Sequence, residues 1–303
     1  MSTALLRRGA RSAAVTALAV ATAMGATGVA RADAPGHEGF VVNVKLSTSG
    51  VVQAPDEHAG GTVTFKIATD DPNGRELQMI RPHQGVTMDQ VLQDLAVAVG
   101  PDPTAAAAAI VKVRDEAEAL GGGLARPGND AILTEDIKAG PVYLLDFTAF
   151  LANPGSPPPV KELDLCEDAG FHLPHFPHSI VIQHETSNGP RFQTEAVDDA
   201  NGGIFVHNAA DELHEMQIQP VAPGTTDDQV QAYFDALLNN TPPPPPPFTG
   251  VPVGLSVISP GHDAVIHIDK LPPGDYVLLC FVPDDQTGLP HAFEGMHKVV
   301  HLH

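Results

Sequence analysis

The sequence predicts an all-β protein built from two β-sandwich units of one design, each carrying a helical insertion. Three observations support this. Short β-branched segments bounded by Gly, Pro, Asn or Asp recur along the 303 residues. A helix-like segment interrupts each half. The elements also return in the same order, so the chain reads as a loose internal repeat.

The strand-like segments come first. Phe40–Leu46, Thr62–Ala68, Ser179–Gln183, Gly203–Asn208 and Ala264–Ile268 have strand length and composition. Val277-Leu-Leu-Cys-Phe281 is nearly all apolar, as a strand buried on both faces would be. The repeat aligns Glu76-Leu-Gln-Met-Ile with Glu215-Met-Gln-Ile-Gln. It also aligns Gly85-Val-Thr-Met-Asp-Gln-Val with Gly224-Thr-Thr-Asp-Asp-Gln-Val. Further on, the segment ending Tyr143-Leu-Leu-Asp-Phe147 lies over the one ending Tyr276-Val-Leu-Leu-Cys-Phe281.

The helices come next. In the second half Thr225 or Thr226 can cap a helix whose first turn holds Asp227 and Asp228. Val230, Tyr233, Phe234, Leu237 and Leu238 then share one face. Val91, Leu92, Leu95 and Val99 do similar work after Thr87, and a second helix is expected over Ala105–Leu120. These helices read as covers for a sandwich. A Pro-rich stretch from Asn153 suggests a linker, and Pro242–Pro247 a polyproline spacer on the surface. The expected organisation is a leader over 1–32, a first domain over 33–152, a Pro/His-rich linker over 153–174 and a second domain over 175–303.

The leader is expected from a basic stub with Arg7, Arg8 and Arg11, an Ala-rich apolar run, and the small-residue site Ala30-Arg31-Ala32. The residues after Arg7-Arg8 fit a twin-arginine signal poorly. Cleavage there would leave 12 Lys and Arg against 37 Asp and Glu, a net charge of −25 with His neutral. Such a surface repels nucleic acid and anionic membrane, and no second apolar span suggests stable membrane insertion. The expected location is secreted or in the cell envelope. Two cysteines, Cys166 and Cys280, would by default pair as a disulfide there.

The C-terminal residues carry the chemistry. Cys280 ends a buried strand, ten residues separate it from His291, Met296 follows five positions later, and His214 opens an upstream strand. A thiolate and two imidazoles near one plane, with a weak axial thioether, form a site that both copper oxidation states tolerate. This order resembles the cupredoxin family, well from Ser179 to His303 and in outline over the first half. Gly274-Asp-Tyr276 ahead of the cysteine strand matches the family's turn and tyrosine.

The resemblance implies two Greek-key β-sandwich domains, the first of them degenerate. It implies one type-1 copper held by His214, Cys280, His291 and Met296, used for electron transfer or copper handling with a redox or copper-delivery protein as partner. The ten-residue loop is longer than in plastocyanin-like proteins and closer to copper nitrite reductases. Leu279 and Phe281 flank Cys280, so the histidine that multicopper enzymes place beside that cysteine is absent, which favours a carrier over an enzyme. In the first half Arg75 stands where His214 does and Asp146 where Cys280 does, with no His or Met following, so no such site can form there. The alternative is a metal-free extracellular binding module with a Cys166–Cys280 disulfide. His172, His175 and His178, at three-residue steps, could form a labile copper or zinc site or a solvated linker. His297, His301 and His303 offer a weaker version of the same choice.

Overall fold

A computed structural model describes residues 41–168, 177–268 and 271–303. The expected leader and His172 and His175 lie outside the described residues, whereas His178 is described and exposed. The first half runs β1 (Val41–Leu46), β2 (Val52–Gln53), β3 (Glu57–Thr69), β4 (Arg75–Pro82), α1 (Met88–Ala98), α2 (Pro103–Glu116), β5 (Ala117–Ala125), β6 (Ala131–Ile137), β7 (Gly140–Asp146), α3 (Phe147–Ala152) and β8 (Lys161–Asp168). The second runs β9 (Ser179–Thr186), β10 (Gly189–Glu195), β11 (Gly202–Asn208), β12 (His214–Pro220), α4 (Asp227–Leu238), β13 (Val253–Ile258), β14 (Asp263–Ile268), β15 (Gly274–Leu279), a 3-10 turn (His291–Glu294) and β16 (His297–Leu302).

The two halves repeat the same pairings. β1 lies parallel to β3, and β9 parallel to β11. β4 sits between β5 and β7, as β12 sits between β13 and β15. β8 closes the first half against β7 as β16 closes the second against β15. The halves then join edge to edge twice, through β6 with β14 and through β5 with β13. The result is two long sheets that each run through both halves, with β3 contributing to both.

Alternation sets the inward faces. Val42, Val44 and Leu46 of β1 are buried while Asn43 and Lys45 are exposed. β15 is apolar on both sides because both sides are covered. Leu278 and Cys280 enter the main core, while Val277 and Leu279 pack against Val230, Tyr233 and Phe234 of α4. Tyr276 donates its hydroxyl to Pro272 O at 2.7 Å, fixing the entry to that strand. Capping boxes start both insertions, Thr87 with Gln90 on α1 and Thr226 with Gln229 on α4.

Two sequence expectations change. The helix expected over Ala105–Leu120 is α2, which begins at Pro103 with Asp102 as its cap and stops at Glu116. Ala117 turns extended because the following residues are claimed by β4 on one side and β13 on the other. Only glycine fits at Gly122, where φ is +135° and a Cβ would meet Leu77 O at 2.0 Å. Gly254 occupies the matching place in the second half, where φ is also +135° and a Cβ would lie 2.1 Å from Met216 O. Within the stretch read as a linker, residues 161–168 form β8, because Leu163 and Leu165 alternate into the core and the strand supplies the edge that β7 needs.

Candidate metal centre

Four elements bring the four sequence-selected residues toward one end of the second half. His214 opens β12 beside a register shift in its pairing with β13. Cys280 directly follows β15, His291 starts the 3-10 turn, and Met296 precedes β16. All four are fully buried. The backbone fixes the ligand loop upon itself: Ala292 N donates to Cys280 O at 2.7 Å, His291 N to Val282 O at 3.0 Å and Met296 N to His291 O at 2.9 Å.

The donor atoms converge. His214 Nδ1 and His291 Nδ1 are 3.0 Å apart, and Cys280 Sγ lies 3.7 Å and 3.4 Å from them. The point equidistant from all three is about 2.0 Å from each, which is a metal–imidazole bond length and slightly short of a metal–thiolate one. The outer nitrogens explain why the inner ones face this point. His291 Nε2 meets Glu212 Oε2 at 3.1 Å, and His214 Nε2 faces Glu185 Oε1 at 3.7 Å. The Glu212 carboxylate favours a proton on His291 Nε2 and so turns Nδ1 toward the sulfur, whereas His214 Nε2 is buried without a hydrogen-bond partner. One sulfur and two imidazole nitrogens, all buried, lie within bonding reach of a single point, and a cation there would displace the protons they otherwise share, so the residues fit the metal that the donor set implies.

Charge follows this geometry. Burial pushes the Cys280 thiol up, but attraction to His291 and hydrogen bonds with both histidines outweigh it and hold the thiol at about 6. Burial pushes His291 down, but Cys280 and Glu212 more than reverse this, raising it to about 10. The thiolate that a soft metal requires is therefore the favoured state of Cys280 near neutral pH. Glu215 N also donates to Cys280 Sγ at 3.4 Å.

Both cysteines are free thiols, with Cys166 exposed on β8 and Cys280 buried, so the alternative built on their pairing is corrected. Cys280 Sγ instead faces the two imidazoles of the cluster described above. The converging donors are Cys, His and His, and the buried Met296 follows on the same loop, its backbone N bonded to His291 O. This is a type-1 copper donor set on a cupredoxin-like sandwich.

No family model matches the chain, and no curated protein matches it. Among solved structures, the chain is similar to a reduced auracyanin from Roseiflexus castenholzii, at 16% identity over 41% of this chain and 94% of that one, TM-score 0.25. It is similar to a copper-containing nitrite reductase from Thermus scotoductus at 10% identity over 87% of this chain and 61% of that one, TM-score 0.25. Rusticyanin from Thiobacillus ferrooxidans aligns at 16% identity over 41% of this chain and 76% of that one, TM-score 0.23. Likenesses this distant add no weight; the donor geometry and the strand pairings carry the assignment.

The long loop between Cys280 and His291 is anchored on the first half. Arg114 of α2 donates to Asp285 Oδ2 at 2.8 Å and to Asp211 O at 3.1 Å. Gly288, at φ +66°, brings the loop so close to Pro103 O that a Cβ would lie 1.8 Å from it. Asp284 turns the loop by accepting from Gln286 N and Thr287 N. The extra residues thus reach the neighbouring half while leaving the His291–Met296 step compact.

Sequence reasoning missed Glu185, Glu212 and Glu215. Their signal was weak, because acidic residues abound in this chain; only the position of Glu212 two residues before His214 hinted at a role. Three further described histidines have partners of their own outside the donor cluster. His297 Nε2 bonds Gln231 Oε1 at 2.9 Å, and His301 pairs with Asp275 at 2.6 Å and stacks edge-on with His303.

Proposed function

We propose that this protein is an exported electron carrier with one type-1 copper in its second half, ligated by His214, Cys280, His291 and Met296, and served by a redox or copper-delivery protein partner. The observation that supports this most is the convergence of two Nδ1 atoms and one Sγ on a single point, with the His291 imidazole held from behind by the Glu212 carboxylate. When bound, the copper supplies one-electron chemistry. The protein's own part is to hold the donors in one arrangement for both oxidation states. Burial excludes water and competing ligands, and the loop's hydrogen bonds to Cys280 O and Val282 O keep His291 from swinging away. Small reorganisation follows from such rigidity and favours electron transfer over bond chemistry. Phe281 and Leu279 beside Cys280 provide no ligand for a second centre. The first half, read as the domain over 33–152, would act as a docking and bracing unit.

The test is X-ray absorption of the copper-loaded full chain in both oxidation states, with rapid electron exchange against a small inorganic mediator. The same sulfur and nitrogen neighbours in both states, with fast reversible exchange, support a carrier. Loss of the metal or of a histidine ligand on reduction would place the protein in copper handling instead.

A further inference from the structure

A second feature lies outside the donor cluster. A cavity of about 610 Å³ lies where the two halves meet, a volume typical of small-molecule sites. Val91 and Ile110 line it from the insertions of the first half, Phe147 from the start of α3, and Phe281 and Phe293 from the ligand loop of the second. Leu151, 40% exposed, marks its edge. Interiors leave few voids larger than a water molecule, so an apolar chamber of this size is a built feature of the fold.

Its polar end is narrow and acidic. Glu76 and Glu215, matching positions of the repeat on β4 and β12, both line it and are nearly fully buried. Glu215 is already occupied, accepting from Gln217 Nε2 at 3.3 Å and from Phe281 N at 2.7 Å. Gln78 is saturated, donating to Met79 O, Gly121 O and Val257 O and accepting from Val257 N. Glu76 Oε1 is different: it is buried with no hydrogen-bond partner. Ser256 Oγ faces this carboxyl and favours its charged form, yet the geometry between them falls short of a hydrogen bond. Burial is the main cause that raises Glu76 to about 7, and repulsion from Asp146 adds to it. Among the described residues, no Lys or Arg lines the cavity.

We propose that this cavity is a binding site for an apolar small molecule bearing a protonated amine, whose body fills the chamber between the halves and whose ammonium donates to Glu76. A donor head answers the unpartnered Glu76 oxygen, and a cationic one is favoured over a neutral one because that carboxyl faces it with no Lys or Arg among the cavity's described lining residues. An anionic head is disfavoured by the same Glu76 carboxyl. The site requires no metal at Cys280, so it stands or falls separately from the copper reading.

The test uses the full chain at about pH 8, where an alkylamine is protonated and Glu76 is largely ionised. N-phenyl-1-naphthylamine, whose fluorescence rises in apolar surroundings, reports occupancy, and octylamine, octanol and octanoate compete for it. Octylamine should displace the probe at a concentration about tenfold or more below octanol, with octanoate weakest. Glu76→Gln should keep probe binding and erase the preference of octylamine over octanol. Ile110→Phe, which narrows the chamber, should weaken the probe while circular dichroism stays unchanged. No fluorescence rise, equal displacement by octylamine and octanol, or a preference that survives Glu76→Gln would each overturn the proposal.

Discussion

The same structural position carries opposite chemistry in the two halves. Where the second half has His214 at the start of β12 and Cys280 after β15, the first has Arg75 at the start of β4 and Asp146 at the end of β7. Arg75 Nη1 donates to Asp146 Oδ2 at 3.0 Å, its Nε to Asp71 Oδ2 at 2.9 Å and its Nη2 to Thr48 O at 2.6 Å. Asp146 is fully buried and also caps α3 through Ala149 N at 2.8 Å. The sheet thus creates a buried polar niche twice. In one half a cation and an anion fill it permanently from the chain itself. In the other, two imidazoles and a thiolate converge on one point, as ligands for a cation from outside would. A fold position can therefore persist while its chemistry divides into structural and functional forms.

The comparison is most severely tested by breaking the first half's pair. Asp146→Ala leaves Arg75 buried beside one remaining carboxylate and should cost about 3–5 kcal/mol in urea unfolding, as removal of one partner of a buried pair does. A loss below about 1 kcal/mol would mean that the niche in the first half needs no filling. The converse exchange, Arg75→His with Asp146→Cys, should yield no copper charge-transfer band. The residues after Asp146 offer Phe, Thr and Ala in place of a second imidazole and a thioether.

The second half's niche depends on its outer carboxylates. Glu212→Gln should weaken copper affinity about 10- to 100-fold while keeping the colour, measured by competition with a chelator of known affinity. Unchanged affinity would show that Glu212 does not orient His291. A smaller effect is expected at the seam between the halves. Burial raises the Glu135 carboxyl to about 7 against the opposing pull of His262, so the folded chain keeps this proton longer than the unfolded one. Its contribution to stability therefore declines as pH rises from about 4.5 through about 7, and Glu135→Gln should flatten that slope. Smallest is Arg114→Ala, which removes the partly exposed tie between α2 and the ligand loop and should cost about 1 kcal/mol or less.

Much of the site was legible in the sequence because its donor types are few. Only two cysteines and six methionines occur, so their order along one loop carried real information. The repeat showed Arg75 and Asp146 in register with His214 and Cys280 before any coordinates. The carboxylates behind the histidines were hidden among 37 acidic residues, and only the fold singles them out. The end of α2 was misplaced because Ala117–Leu120 has helical composition, and cross-strand pairing with β4 and β13 overrides it. β8 went unread because flanking Pro and His residues obscured a short alternation. The joining of the halves through continuous sheets was invisible to local pattern, since strand edges carry no signature of their partner.

The most direct test of the central claim is the visible spectrum of the full chain loaded with copper(II), beside Cys280→Ser prepared identically. The account predicts an intense thiolate-to-copper charge-transfer band with one copper per chain, absent in the serine variant although that variant stays folded. A colourless protein with its Cys280 thiol free and unligated, or a band that survives Cys280→Ser, would contradict it.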